Sequence, residues 1–298
     1  MNEWSPAPHN TTPFKWSLVS AVNDDRVLRH ALLASPAIGK GCQIITKRGY
    51  PCIGKAYNQG LAKSAHDIVV FAHQDLYLPE VWLNGLRLAL RELARLDPRW
   101  GVLGSFGVAK SNPPEPRGFC YSTGLKRILG EPFSSPIAAR SLDELVLVVR
   151  KSSGLQFDEA LPGFHLYGTD ICLQAEAKGM ASYIIPAFCV HNANGVIRLP
   201  SDFWRAYFYL RRKWRKQLPV TTCCTTITEG CVPVVRRLIQ EQKERLFPRD
   251  VGRRCDDVKT LHEHLGQLHP EILELSIPRS INAPTEPDPS TLSISRFS

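Results

Sequence analysis

Between Asp67 and Asp75 the chain reads DIVVFAHQD, and the apolar run Ile68 to Ala72 stops abruptly at His73, Gln74 and Asp75. A short uninterrupted run of this kind predicts a strand covered on both faces. Such a strand needs packed layers above and below it, so the expected fold class is α/β. In open α/β sheets ligands bind outside the carboxyl ends of the strands, which puts His73 and Asp75 at a crevice. A spacing of two turns both side chains to one side of an extended backbone, where a hard divalent cation can share Asp75 with a diphosphate. A strand closing in a polar turn accounts for the same three residues, and the tripeptide alone does not choose between these readings.

The chain has 298 residues, 43% hydrophobic and 22% charged, which suits one sizeable globular domain with an appendage. Lys and Arg number 37 against 28 Asp and Glu, a net charge of +9 that favours anionic partners: phosphates, acidic glycans, nucleic acid or an anionic membrane surface. The nine cysteines are scattered and contain no CxxC pair. That pattern fits reduced thiols in a cytosolic protein better than a disulfide framework or a zinc site. The amino terminus MNEWSPAPHNTTP has neither a basic start nor an apolar stretch, and no run of about 18 apolar residues occurs, so the expectation is a cytoplasmic protein without a membrane span.

In chain order, Trp16 to Val22 reads as a first strand ending at Asn23, Asp24 and Asp25. Those three side chains either cap the helix that follows or touch a base or ribose, two roles that can coexist. Cys42 to Thr46 is a second strand, followed by a helix from Gly54 to Ser64 whose first turn carries Lys55, with Asn58 and Gly60 one turn on. Helix dipole and ammonium together would hold a phosphate there. Pro79 opens a helix with an apolar stripe that runs to Pro98. Trp100 to Val108 reads as one glycine-rich strand, Ala109 to Ser141 as a small hairpin or loop insertion beside the site, and Leu145 to Val149 as a further strand.

The stretch FDEALPGFHLYGTDICLQAEAKGM, Phe157 to Met180, predicts a helix beginning at Thr169 and Asp170. An acid there is a dipole partner, or, at the ligand edge of a sheet, a base for an attacking hydroxyl. Ala181 to Val190 is read as one strand ending at His191 and Asn192.

This ordered set, from the NDD loop through GKAYNQGLAKS, DIVVFAHQD, FDE and FHLYGTDICLQA to CVHN, resembles the GT-A fold nucleotide-sugar glycosyltransferases of the small family 2 type over about residues 16–192. The resemblance implies a Rossmann-like mixed sheet flanked by helices, and transfer of a sugar with inversion from a UDP- or GDP-sugar to a glycan, lipid-linked or protein acceptor. It further implies Mn2+ or Mg2+ bound by Asp75 and His191, with HQD standing where the family has Asp-x-Asp. Donor contacts fall to Asn23, Asp24, Lys55, Asn58 and His73, and Asp170 inherits the role of catalytic base. The acidic pair that usually follows the family's second strand is missing, and so is the first acid of the metal motif. A catalytically inactive nucleotide-binding protein of the same fold is therefore the alternative. A nucleic-acid-binding role has no recognition motif and is not expected.

Ser201 to Pro219 is a strongly amphipathic basic and aromatic helix, expected to dock beside the site, with a peripheral membrane contact as its second role. Residues 1–14 are expected to form a flexible start, 15–220 the catalytic domain, 221–278 a helical appendage and 279–298 a disordered tail.

Overall fold

The computed structural model describes residues 14–274 apart from 40, 197, 248 and 249, so most of the amino-terminal segment and the whole carboxyl-terminal tail lie outside the described residues. The first half runs β1 (Trp16–Ala21), α1 (Asp25–His30), β2 (Cys42–Lys47), α2 (Ile53–Lys63), β3 (Ile68–Ala72), β4 (Leu76–Tyr77) and α3 (Glu80–Leu96). Next come β5 (Val102–Gly104), β6 (Phe106–Ala109), β7 (Pro116–Ser122), β8 (Arg127–Gly130), β9 (Ile137–Leu142) and β10 (Val146–Arg150). The chain continues through α4 (Tyr167–Ala177), β11 (Ser182–Ile184), β12 (Cys189–His191), α5 (Ser201–Lys213), α6 (Val232–Leu246) and α7 (Val258–Leu268).

The expected α/β class is found. Twelve strands form one mixed sheet in the order β2-β1-β3-β10-β5-β11-β9-β6-β7-β12-β4, with β8 paired to β7. Alternation along the central strands divides the core into two layers. Val69 and Phe71 of β3 join Leu147 and Val149 of β10 on the face covered by α2, α4 and α5. Val70, Ala72, Val146 and Val148 face α1 and α3, where Trp82, Leu86, Ala89 and Leu93 complete the packing. Gly60 lets α2 lie directly on β1, since a Cβ there would come within 2.3 Å of Val19.

Several expected boundaries change. The run 100–108 is two strands, β5 and β6, which break at Ser105 and occupy separate places in the sheet. Ser105 is buried, and its Oγ accepts the indole N–H of Trp82 at 3.0 Å. The run 181–190 likewise splits into β11 and β12 around Pro186, whose missing N–H cannot continue a ladder. Residues 109–141 are more than a loop insertion, because β7, β8 and β9 all pair within the main sheet. The helix expected from Thr169 starts two residues earlier, at Tyr167, after Leu166 adopts φ 61°. Toward the carboxyl end, Val258, Leu265 and Ile272 pack against Tyr77, Phe119, Phe188 and Val190, so α7 shares a core with the far edge of the sheet. No helix among the described residues is long and apolar enough to cross a membrane.

Candidate functional site

Strands β1, β2 and β3 are mutually parallel, so their carboxyl ends come out on one edge of the sheet. That edge carries Asn23 after β1, Lys47 at the end of β2, and His73, Gln74 and Asp75 after β3. Together with Tyr50, Ile53, Ala56, Tyr57, Phe164 and Tyr167 these residues line a cleft of about 400 Å³. Its floor is apolar and aromatic, its rim polar, the usual make-up of a small-molecule site. Gln74 ties the rim together. Its Oε1 accepts the backbone N–H groups of Asn23 at 3.0 Å and Asp24 at 3.1 Å, and its Nε2 donates to Asn23 Oδ1.

The second half of the chain brings a third candidate ligand. β12 runs antiparallel to β4 with His191 opposite Leu76, and Asn192 N donates to Asp75 O at 2.8 Å. His191 Nε2 then lies 3.6 Å from Asp75 Oδ1, and His73 Nδ1 lies 4.0 Å from the same oxygen. One ligand atom from each of His73, Asp75 and His191 falls within 4.8 Å of the others, close enough for a single cation to take all three. The other ring nitrogen of His73 is 2.9 Å from Tyr167 Oη, and that hydroxyl donates to Glu144 O at 3.2 Å. A partner of this kind fixes the ring and the tautomer of a metal-binding histidine.

Burial works against an ionised Asp75, yet the hydrogen bond and charge of His191, with His73 and Arg254, hold the carboxyl well below the ordinary carboxylate range. Burial lowers His73, only partly opposed by the Asp75 charge, which favours the neutral ring that can act as a ligand. Both states are those a divalent cation requires of its donors.

The sequence reading missed Arg254. Its Nη2 lies 3.3 Å from Asp75 Oδ2, while its Nε donates to Asn192 O at 2.9 Å. Arg254 and Asp75 are 179 positions apart, and no periodicity or spacing links them. Lys47, Tyr50 and Tyr167 were also missed. For Lys47 the signal was present, because the tips of parallel strands share an edge.

Asn23, His73, Asp75 and His191 come together at this edge, and four other residues singled out by the sequence do not join them. Asp24 caps α1, its Oδ1 accepting from Arg26 N at 2.9 Å and Val27 N at 3.2 Å. Lys55 is exposed on α2 and does not line the cleft. The amino-terminal turn of α2 is covered by the segment 158–163: Ile53 N donates to Gly163 O at 3.0 Å, and a Cβ on Gly54 would meet Asp158 O at 2.4 Å. The Ile53 amide is thereby already paired. Asn58 is a structural staple, donating to Phe157 O at 2.9 Å and accepting from Phe157 N at 2.8 Å.

Asp170, the expected base, is turned inward. Because α4 begins at Tyr167, Asp170 is the fourth helical residue and faces α5 instead of the sheet edge. Its side chain is 1% exposed and accepts from Lys213 Nζ at 2.8 and 2.9 Å, Trp214 Nε1 at 2.7 Å and Gln174 Nε2 at 2.7 Å. In this arrangement it cannot take a proton from a substrate. Glu144 has the opposite character. It is half-buried, its Oε1 accepts Gly168 N at 3.3 Å, and burial, with the charge of Asp143 adding, pushes its carboxyl up to about 8. A carboxyl tuned near neutral pH is matched to general base work. Glu144 stands behind the cleft residue Tyr167, whose hydroxyl donates to Glu144 O at 3.2 Å.

No protein-family model matches the chain. A 170-residue stretch is 29% identical to the protein described as "ATP synthase subunits region ORF 6" of Fuscovulum blasticum, covering 55% of this chain and 66% of that one. The matched stretch thus spans just under two thirds of that relative. Among solved structures, the chain is similar to S. aureus TarS 1-349, with a TM-score of 0.39 and 12% identity over 67% of this chain and 65% of that one. It is also similar to the mannosyltransferase PcManGT from Pyrobaculum calidifontis in complex with GDP-Man and Mn2+, with a TM-score of 0.40 and 11% identity over 92% of this chain and 76% of that one. Likenesses at this level assign no activity, and the residues of the cleft carry the reading that follows.

Proposed function

We propose that the cleft binds a nucleoside diphosphate-sugar with a divalent cation, and that the protein transfers the sugar to an acceptor hydroxyl in the manner of a GT-A glycosyltransferase. The observation that carries this reading is the convergence of His73, Asp75 and His191 within 4.8 Å at the strand ends that border the cleft. Two imidazole nitrogens and one carboxylate favour a borderline cation such as Mn2+ over Mg2+, which prefers an all-oxygen shell. Bound there, the cation would offset negative charge on the leaving diphosphate.

The chain's own groups do the rest. Asn23, Lys47 and the rings of Tyr50, Tyr57 and Phe164 receive the nucleoside, and Arg254 pairs with a phosphate oxygen. Transfer breaks the bond between the anomeric carbon and the diphosphate oxygen and forms a bond to the acceptor oxygen. We assign the acceptor proton to Glu144 in place of Asp170, because Glu144 needs no ion pair to open first. The donor is a UDP- or GDP-sugar, and the acceptor a hydroxyl of a glycan, a lipid-linked sugar or a protein.

The buried ion pair of Asp170 favours a second reading, a protein that binds the nucleotide sugar without turning it over. Donor hydrolysis and transfer measured across a panel of nucleotide sugars with Mn2+ separates the two. Turnover that falls by about 10²-fold or more in Glu144→Gln, with nucleotide binding kept, supports transfer. Binding with no turnover of any donor supports the second reading, and no nucleotide binding at all rejects both.

A further inference from the structure

Helix α6 is amphipathic in the wrong sense for a helix that only docks on its own domain. Val232, Val235, Ile239 and Leu246 recur at spacings of three, four and seven, which puts them on one helical face. That face looks outward, with exposures of 67%, 51%, 52% and 73%. The inward side holds two acids beside Val234, which packs against the core. Glu241 is 7% exposed and accepts Leu199 N at 3.2 Å and Arg237 Nε at 3.1 Å, and Glu244 is 4% exposed and accepts Gln240 Nε2 at 2.7 Å. A helix stabilised only by its own domain buries the apolar stripe and shows water the charges. Here the order is reversed.

Charge indicates what covers the stripe. Arg236 and Lys243 border it, both exposed, and the two acids of α6 point the other way. The outward half of α6 is therefore apolar and purely cationic. A protein partner with a buried core would meet the apolar residues but leave the cations without a match, whereas an anionic lipid surface satisfies both at once. With a net charge of +9, the rest of the chain does not oppose such an approach.

We infer that α6 is an interfacial anchor that lays Val232, Val235, Ile239 and Leu246 into an anionic membrane surface, with Arg236 and Lys243 at the lipid headgroups. The inference is independent of the chemistry of the cleft, and it places the membrane contact on α6 rather than on the amphipathic α5. In α5 the apolar residues Phe203, Ala206, Tyr207 and Leu210 are already buried in the core.

The test is co-sedimentation of the full chain with phosphatidylcholine vesicles, with and without about one third phosphatidylglycerol. The expected result is binding at least about tenfold tighter to the anionic vesicles and weakening as salt rises. Val235→Glu with Ile239→Glu should abolish binding. Arg236→Glu with Lys243→Glu should weaken binding to the anionic vesicles by about tenfold or more. All four positions are exposed, so unchanged circular dichroism and Tm are expected for both variants. Equal binding to the two vesicle types, binding to neither, or binding that survives Val235→Glu with Ile239→Glu would overturn the inference. So would a concentration-dependent dimer, in the absence of vesicles, that the same double variant converts to monomer.

Discussion

Asp170→Asn separates a structural from a catalytic role for the acid that sequence patterning puts forward. The carboxylate is 1% exposed and holds two elements together: Gln174 lies one turn along α4, Lys213 ends α5, and Trp214 follows it. Asparagine has nearly the same shape, and its carbonyl oxygen can still accept from Trp214 Nε1 and Lys213 Nζ. Its amide nitrogen would point hydrogens at Gln174 Nε2 and Lys213 Nζ, where only donors are found. Breaking a buried ion pair costs roughly 3–5 kcal/mol. The loss is smaller here, because Lys213 is 25% exposed and keeps Asp158 at 2.7 Å. About 2–3 kcal/mol remains, which for a domain of this size lowers Tm by roughly 5–10 °C. Thermal unfolding followed by circular dichroism, paired with a turnover assay below the lowered Tm, checks this. A clear fall in Tm and at least about a tenth of wild-type turnover are expected, since removing a true general base would cost about 10²–10⁴-fold. A Tm within about 2 °C of wild type, combined with turnover lost by 10³-fold or so, would show that Asp170 is free in the working protein and serves as the base.

Arg254→Ala is expected to act in opposite directions on the two ligands of the cleft. Without the guanidinium 3.3 Å from Asp75 Oδ2, Mn2+ alone should bind about three- to tenfold more tightly. UDP or GDP should bind about 10- to 100-fold more weakly, because a charge-assisted hydrogen bond to phosphate is lost; calorimetry reads both, and a change of the same sign for both would argue against a phosphate contact. Glu144 gives a pH signature. Its carboxyl is raised in the folded chain from 4.5 to about 8, so its neutral form favours folding below the lower value and the contribution is lost as pH rises through the upper one. Urea midpoints should therefore fall between pH 5 and pH 8.5 more steeply in wild type than in Glu144→Gln, and parallel curves would contradict the assignment. Asn58→Ala removes both bonds to Phe157 and should cost about 1–3 kcal/mol in urea titrations while leaving nucleotide affinity unchanged. A selective loss of affinity would return Asn58 to the donor site.

The central strands were legible because their physics is local. A short apolar run with a polar tip fits a buried strand ending at an edge, and parallel neighbours bring Asn23 and Asp75 to the same edge. His191 was legible by its place in the order of elements, although its approach to Asp75 depends on the β12–β4 register. What could not be read depends on a turn's phase or on contacts distant in sequence. Two extra helical residues before Thr169 put Asp170 inside the first turn, where it faces Lys213 and Trp214 instead of the sheet edge. Lys55 looked like a phosphate ligand because the amino end of α2 appeared open, and residues 158–163 close it. The strands beyond Gly104 were misread because continuous hydrophobicity does not reveal a break where Ser105 takes a buried hydrogen bond from Trp82. Arg254 had no signal at all, since its position follows from how α7 packs on the far edge of the sheet.

In the proposed reaction His73, Asp75 and His191 together hold the cation that accompanies the diphosphate. Electron paramagnetic resonance of Mn2+ titrated into the protein with GDP or UDP present reads it directly. One equivalent of bound Mn2+ is expected, with hyperfine coupling to imidazole nitrogen, together with loss of the bound fraction in Asp75→Asn. Nucleotide that binds undiminished in the presence of a chelator, or a Mn2+ signal unchanged by Asp75→Asn, would contradict it.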